Sequence, residues 1–298
     1  MITTEAAFAR YERLRPTLPQ AQFPETSRMG RTLEDTMNDY DAYILDAFGV
    51  LNRGETPVPG AVERIAQLRA AGKRLIVLTN AASYTRSGVL AKYHRLGFDF
   101  TLDEVVSSRD VAFAHLPKVH GVWAAITSGD DDLSDAPVGH FIVDLHEQPD
   151  LMITAAAFLF LSAARWSDAD NARLERALQF QPRSVIVANP DLVAPRDHGL
   201  SLEPGWYAQD IAKKTGATLP MFGKPFRNAF DEALRRLPDI TPARIAMVGD
   251  TLHTDVLGGA AAGLGTILIR EHGLFRGLSP APFIEASGIR PAWLIQST

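Results

Sequence analysis

The 298-residue chain predicts an α/β protein: a parallel sheet covered by helices on both faces, carrying a second α/β module inserted within it. Three observations lead there. Short apolar runs alternate with helix-period segments from residue 43 onward, and the same alternation returns beyond residue 221. The stretch between them has apolar runs and a helix of its own. Polar residues stand directly after several of the predicted strands, where ligands gather in such sheets.

Residues 1–40 read as an N-terminal extension, with one amphipathic helix over 6–14 and a proline-containing stretch at 16–24. Tyr43-Ile44-Leu45 is the first buried strand. Residues 61–71 put Val62, Ile65, Ala66 and Leu68 on one helical face, and Gly72 stops that helix. A strand at 75–78 and a helix at 83–96, closed by Gly97, follow. In the middle, apolar runs fall at 122–126, 141–143, 158–161 and 185–187. Ser167 and Asp170 resemble a capping box ahead of a helix at 173–178. After these come helix 228–237, strand 245–248, helix 255–262 and strand 266–269. The core is therefore expected at 41–117 and 221–298, with 118–220 as the insert. Asp130-Asp131-Asp132, beside Ser128-Gly129, reads as a solvated turn rather than a metal site.

Composition narrows the function classes. Thirty basic against 35 acidic residues give a net charge of -5, so no basic footprint favours nucleic acid or an anionic membrane. The absence of cysteine excludes disulfides, thiolate nucleophiles and Cys-type zinc sites. Charges are scattered through residues 1–16, which leaves no visible secretory leader. The longest apolar run, 151–164, falls short of the ~20 residues needed to span a bilayer. The expectation is a soluble, cytoplasmic protein, with self-association into a homo-oligomer left open.

Four places join predicted strands or turns to chemistry. Asp46 follows Tyr43-Ile44-Leu45; Thr79-Asn80 follows Ile76-Val77-Leu78; Gly223-Lys224-Pro225 precedes a helix; and Gly249-Asp250 follows Met247-Val248, with Asp255 five residues on. Each alone has an ordinary reading as a turn or helix cap. Together they point to phosphoryl transfer. Two carboxylates at strand ends can hold Mg²⁺, while a hydroxyl, an amide and a lysine hold phosphate oxygens.

These motifs resemble those of the haloacid dehalogenase superfamily, in its class IIA phosphatase-like branch. Asp46-Ala47-Phe48-Gly49-Val50-Leu51 is similar to its first motif, Thr79-Asn80 to the second, Lys224 to the third and the run from Gly249 to Asp255 to the fourth. The long insert and Ala188-Asn189-Pro190-Asp191 match the C2-capped branch in particular. The resemblance implies a Rossmann-like core with an inserted α/β cap, and a Mg²⁺-dependent phosphatase acting on a small phosphorylated metabolite. It implies Asp46 as the nucleophile that forms an aspartyl-phosphate. It further implies Mg²⁺ on Asp46, Asp250 and the backbone carbonyl of Phe48, phosphate on Thr79, Asn80 and Lys224, and Asp255 in support.

One position departs from the pattern. The family's phosphatases carry a second Asp two residues after the nucleophile, as general acid and base, and here that residue is Phe48. Losing a positioned acid costs about 10²–10⁴-fold in rate. His253 and His198 are the candidate substitutes, near neutral in ordinary pKa. Asn52 and Arg53 read as turn-shaping or substrate-touching, and Arg196 and His198 as cap contacts for an anionic substrate. Trp206 and Tyr207 suit a packed helix start or a stacked ring. The alternatives are a phospholigand-binding protein with little turnover, or another phosphoryl or carbon–phosphorus chemistry. A dinucleotide-binding dehydrogenase is disfavoured, because no G-x-G-x-x-G follows the first predicted strand.

Overall fold

The computed structural model describes residues 2–196 and 199–298. Fifteen strands occur among them: β1 (Arg28–Gly30), β2 (Ala42–Leu45), β3 (Asn52–Arg53), β4 (Thr56–Pro57), β5 (Arg74–Thr79), β6 (Val105–Ser107), β7 (Val122–Ile126), β8 (Phe141–Asp144), β9 (Ala157–Phe160), β10 (Ser184–Val187), β11 (Val193–Arg196), β12 (Gly199–Leu202), β13 (Ile245–Gly249), β14 (Gly265–Ile269) and β15 (Trp293–Ile295). Seven form one parallel sheet in the order β1-β15-β14-β13-β2-β5-β6. Alternation along β2 explains its layers. Tyr43 and Leu45 face Ile65, Leu68 and Val89 from helices Ala61–Ala70 and Arg86–Arg95. Ala42 and Ile44 face Ala229, Phe230 and Ala233 from helix Arg227–Arg235.

Between β6 and helix Arg227–Arg235 the chain builds a second parallel sheet, β10-β9-β7-β8. Phe158 and Phe160 point to one face, toward Leu174, Leu178, Ala208 and Ile211 of helices Asp168–Phe180 and Pro204–Thr215. Trp123, Ala157 and Leu159 point to the other, and pack against Ala112 and Phe113 of helix Ser108–Ala114. Two hairpins complete the strands: β3-β4 after Asp46, and β11-β12 in the insert.

Several elements differ from the sequence reading. β1, β6 and β15 have three residues each, too few for a periodic signal. β1 pairs with β15, so part of the expected 1–40 extension is an edge of the large sheet. The expected helix 255–262 begins instead as a π turn, Leu252–Val256, followed by helix Leu257–Ala261. Asp255 forces this winding: its Oδ2 accepts from the N–H groups of Asp250 and Thr251 at 3.1 and 3.0 Å. Asp131 is no solvated turn residue. Its carboxylate and that of Asp135 pair with Arg109, whose side chain is fully buried. The capping box at Ser167 forms, opening a helix longer than expected. Among the described residues, no helix is long and apolar enough to cross a membrane.

Candidate active site

Sheet order assembles the site. β5, β2 and β13 are neighbours, so Thr79 at the end of β5, Asp46 after β2 and Asp250 after β13 emerge side by side. The third motif arrives from a turn. Gly223 has φ +129°, and a Cβ there would stand 2.5 Å from Asn80 Oδ1 and 2.7 Å from Pro190 Cδ. Only glycine lets the backbone pass so close and deliver Lys224 into the cleft. Lys224 Nζ donates to Asp46 Oδ1 and lies 2.8 Å from Asp255 Oδ1. Asp250 Oδ1 accepts from Thr251 Oγ1 at 2.9 Å, and its Oδ2 from the Leu274 N–H at 2.6 Å. That last bond requires Gly273, where a Cβ would sit 2.0 Å from Asp250 Oδ2.

Charge at this junction is unbalanced. Burial pushes Asp46 up to about 6, with Lys224 opposing and Asp255 adding to the shift. Asp250 is raised well above the usual carboxylate range by burial, then by Asp255 and Asp46. Burial pulls the Lys224 ammonium down, but Asp255, Asp46 and Asp191 outweigh it and raise it. One oxygen from each of Asp46, Asp250 and Asp255 lies within 4.8 Å of the others. An oxygen-only cluster with surplus buried negative charge fits a hard divalent cation.

A cavity of about 540 Å³ lies above these residues, walled by the core loops on one side and the insert on the other. Phe48 lines it. Two cations face its ring: Lys92 Nζ at 4.9 Å from the centroid, and Arg196 Cζ, from β11, at 5.0 Å. Arg196 also donates to Ser201 Oγ at 2.9 Å and Glu203 Oε1 at 2.8 Å. Thr79 lines the cavity too, its Oγ1 accepting from the Ala81 N–H. Asn80 is engaged within the protein. Its Oδ1 accepts from the Lys224 N–H at 2.7 Å, and its Nδ2 donates to Lys224 O and to Asp191 Oδ1. With both ends of the amide occupied, Asn80 fixes the lysine turn at the cavity wall.

His253 does not reach the cavity. It is buried, stacked on Tyr11 at 4.9 Å, with Nε2 2.5 Å from Glu12 Oε1. His198 lies outside the described residues. Trp206 and Tyr207 pack in the cores, and Asn52 shapes its own turn by donating to Gly54 O. The sequence reading used Asp191 only as a mark of the branch, yet its carboxyl enters the cavity. Burial, opposed by Lys224 and reinforced by Asp46, pushes it up to about 8. Its position after Asn189-Pro190, in a turn with no strand signal of its own, hid that role.

Comparison with known proteins agrees with this geometry. Residues 43–136 match the family model of haloacid dehalogenase-like hydrolases, and residues 221–280 match a second model of that group. The glycerol-3-phosphate phosphatase of Homo sapiens is 32% identical over 262 residues, covering 77% of this chain and 78% of its own. A possible sugar phosphatase from Cytophaga hutchinsonii superposes with a TM-score of 0.79 at 26% identity, covering 91% of this chain and 98% of its own. A glycerol phosphate phosphatase of Mycobacterium tuberculosis, solved in complex with magnesium, gives 0.65 at 26% identity, over 88% and 76%. The chain belongs to the haloacid dehalogenase-like hydrolases, in their class IIA phosphatase-like branch with a C2-type cap.

Proposed function

We propose that the protein is a Mg²⁺-dependent phosphatase of a small phosphorylated metabolite, with Asp46 as the nucleophile. The observation that carries this reading is the buried junction of Asp46, Lys224, Asp250 and Asp255 at adjacent strand ends beneath the cavity. An Asp46 oxygen attacks phosphorus, an O–P bond to the carboxylate forms, and the ester O–P bond breaks. Water then attacks the aspartyl-phosphate at phosphorus and restores Asp46. Lys224 and Thr79 hold the transferring oxygens, and Asp255 keeps Lys224 in place. Asp46, Asp250 and the Phe48 carbonyl would hold Mg²⁺, which when bound neutralises charge on the phosphoryl group.

In this reading 41–117 and 221–298 form the catalytic core, and 118–220 the cap. Relatives named for glycerol-3-phosphate and for acid sugars favour a small polyol or sugar ester, a size the cavity accepts. A phenyl ring at 48 gives the leaving oxygen no proton. Asp191, the cavity carboxyl raised to about 8, is the group placed to supply one. The test is phosphate release from a panel of metabolite esters by purified protein with Mg²⁺, alongside Asp46→Asn. Release by the wild type alone is the expected outcome. Ligand binding without release would assign the protein to phospholigand binding instead.

A further inference from the structure

The helix Thr4–Leu14 touches core and cap at once. On the core side, Thr4 Oγ1 donates to Leu274 O at 2.9 Å, and Leu274 is the residue whose N–H holds Asp250. The Tyr11 ring stacks on His253, and Glu12 reaches His253 Nε2. On the cap side, the Leu192 N–H donates to Tyr11 Oη at 3.1 Å, one residue beyond Asp191. Arg10 Nη2 donates to Trp206 O at 2.6 Å and to Asp210 Oδ1 at 2.8 Å, and its guanidinium lies 3.9 Å over the Trp206 ring. Ala7 and Tyr11 share one apolar cluster with Leu192 and Val193 of the insert and with Leu252, Val256 and Phe275 of the core.

A segment with these contacts does more than cover a surface. Asp191 sits in a turn fastened at two points. Asn80 holds its carboxylate from the core, and Tyr11 holds the next backbone N–H from the N-terminal helix. Arg10 fastens the start of helix Pro204–Thr215, which follows directly on the β11-β12 hairpin that carries Arg196. The two cap segments that carry Asp191 and Arg196 are thus tied to the same turn of one helix.

We propose that Arg10 and Tyr11 are positioning residues: helix Thr4–Leu14 is a strap that holds the cap on the core and sets where Asp191 and Arg196 stand over the nucleophile. The proposal rests on the phosphatase reading for its kinetic consequences, but its structural consequence is independent of turnover. Loosening the strap lets the cap ride further from the core. KM for a small ester should then rise by about fivefold, the worth of one net hydrogen bond, while a bulky aryl phosphate gains relative to it. kcat for the aryl ester, which needs no proton donor, should change least.

The experiment uses the full chain, whose lack of cysteine allows clean spin labelling at Gln67→Cys on the core and Phe180→Cys on the cap, both exposed. Distance distributions are measured by pulsed electron resonance in the labelled parent and in Tyr11→Phe, Arg10→Ala and Asp210→Asn, with the KM and kcat of both esters determined in parallel. Tyr11→Phe keeps the stack on His253 and removes only the oxygen. Asp210→Asn weakens the Arg10 contact from the cap side, which keeps a folded variant available should Arg10→Ala be unstable. The expected result is a longer or broader core-to-cap distance, with the selectivity shift, in folded variants. Unchanged distances and an unchanged ester ratio in folded Tyr11→Phe and Asp210→Asn would overturn the proposal. Absence of turnover with altered distances would leave the strap intact and count only against the phosphatase reading.

Discussion

The carboxylates of Asp46, Asp191 and Asp255 all act on the ammonium of Lys224, and that imbalance dictates what single substitutions should do. Asp46→Asn should end phosphate release while leaving the metal-free fold at least as stable, because one buried negative charge disappears. Lys224→Met should end it and cost about 3–5 kcal/mol, the usual penalty for stranding a buried charge. Urea unfolding with a chelator present separates the two; a large loss of stability in Asp46→Asn would contradict the charge argument. Phe48 sets a second expectation. Aryl and acyl phosphates should outrun alkyl phosphates, and Asp191→Asn should depress the alkyl rates most. Equal losses on every ester would remove Asp191 from proton transfer. Much of this site was legible, because Asp46, Thr79 and Asp250 each directly follow or end an apolar strand, and Lys224 sits in a glycine–proline turn. Asp191 and the Gly273-Leu274 clamp on Asp250 were not, since they reach the site from loops whose placement depends on the whole sheet.

At the scale of elements, the long strands and helices of the core follow from apolar periodicity. β1, β6 and β15 owe their existence to pairing with neighbours, which no local pattern records. The same holds for His253. In sequence it is a loop histidine near the fourth motif; in the fold it is sealed between the strap helix and the core. Burial lowers it from 6.5 to about 4, with Glu12 opposing. The unfolded chain therefore takes up a proton as pH falls through 6.5, and the folded protein does not until about 4. Stability from this group is complete above pH 6.5 and is lost between there and pH 4, on the order of 3 kcal/mol in all. Denaturant unfolding of wild type and His253→Gln across that range should show the wild type falling more steeply. Parallel curves would place the histidine's proton elsewhere.

At the scale of the whole molecule, residues near the large parallel sheet and residues of the inserted one line a common cavity, which in the proposed reading takes catalytic groups from the first and selectivity groups from the second. Buried charge in the core makes the fold responsive to a cation. Mg²⁺ should raise the thermal midpoint of the wild type by mass action and do so far less in Asp250→Asn. A midpoint that responds equally in both would move the metal away from Asp250. The covalent step itself can be caught chemically. Wild-type protein mixed with an aryl phosphate and Mg²⁺, acid-quenched in mid-turnover and reduced with borohydride, should yield homoserine at position 46 in the peptide containing that residue, and Asp46→Asn should yield none. Rapid phosphate release with Asp46 recovered unmodified would show that the ester is hydrolysed without an aspartyl-phosphate.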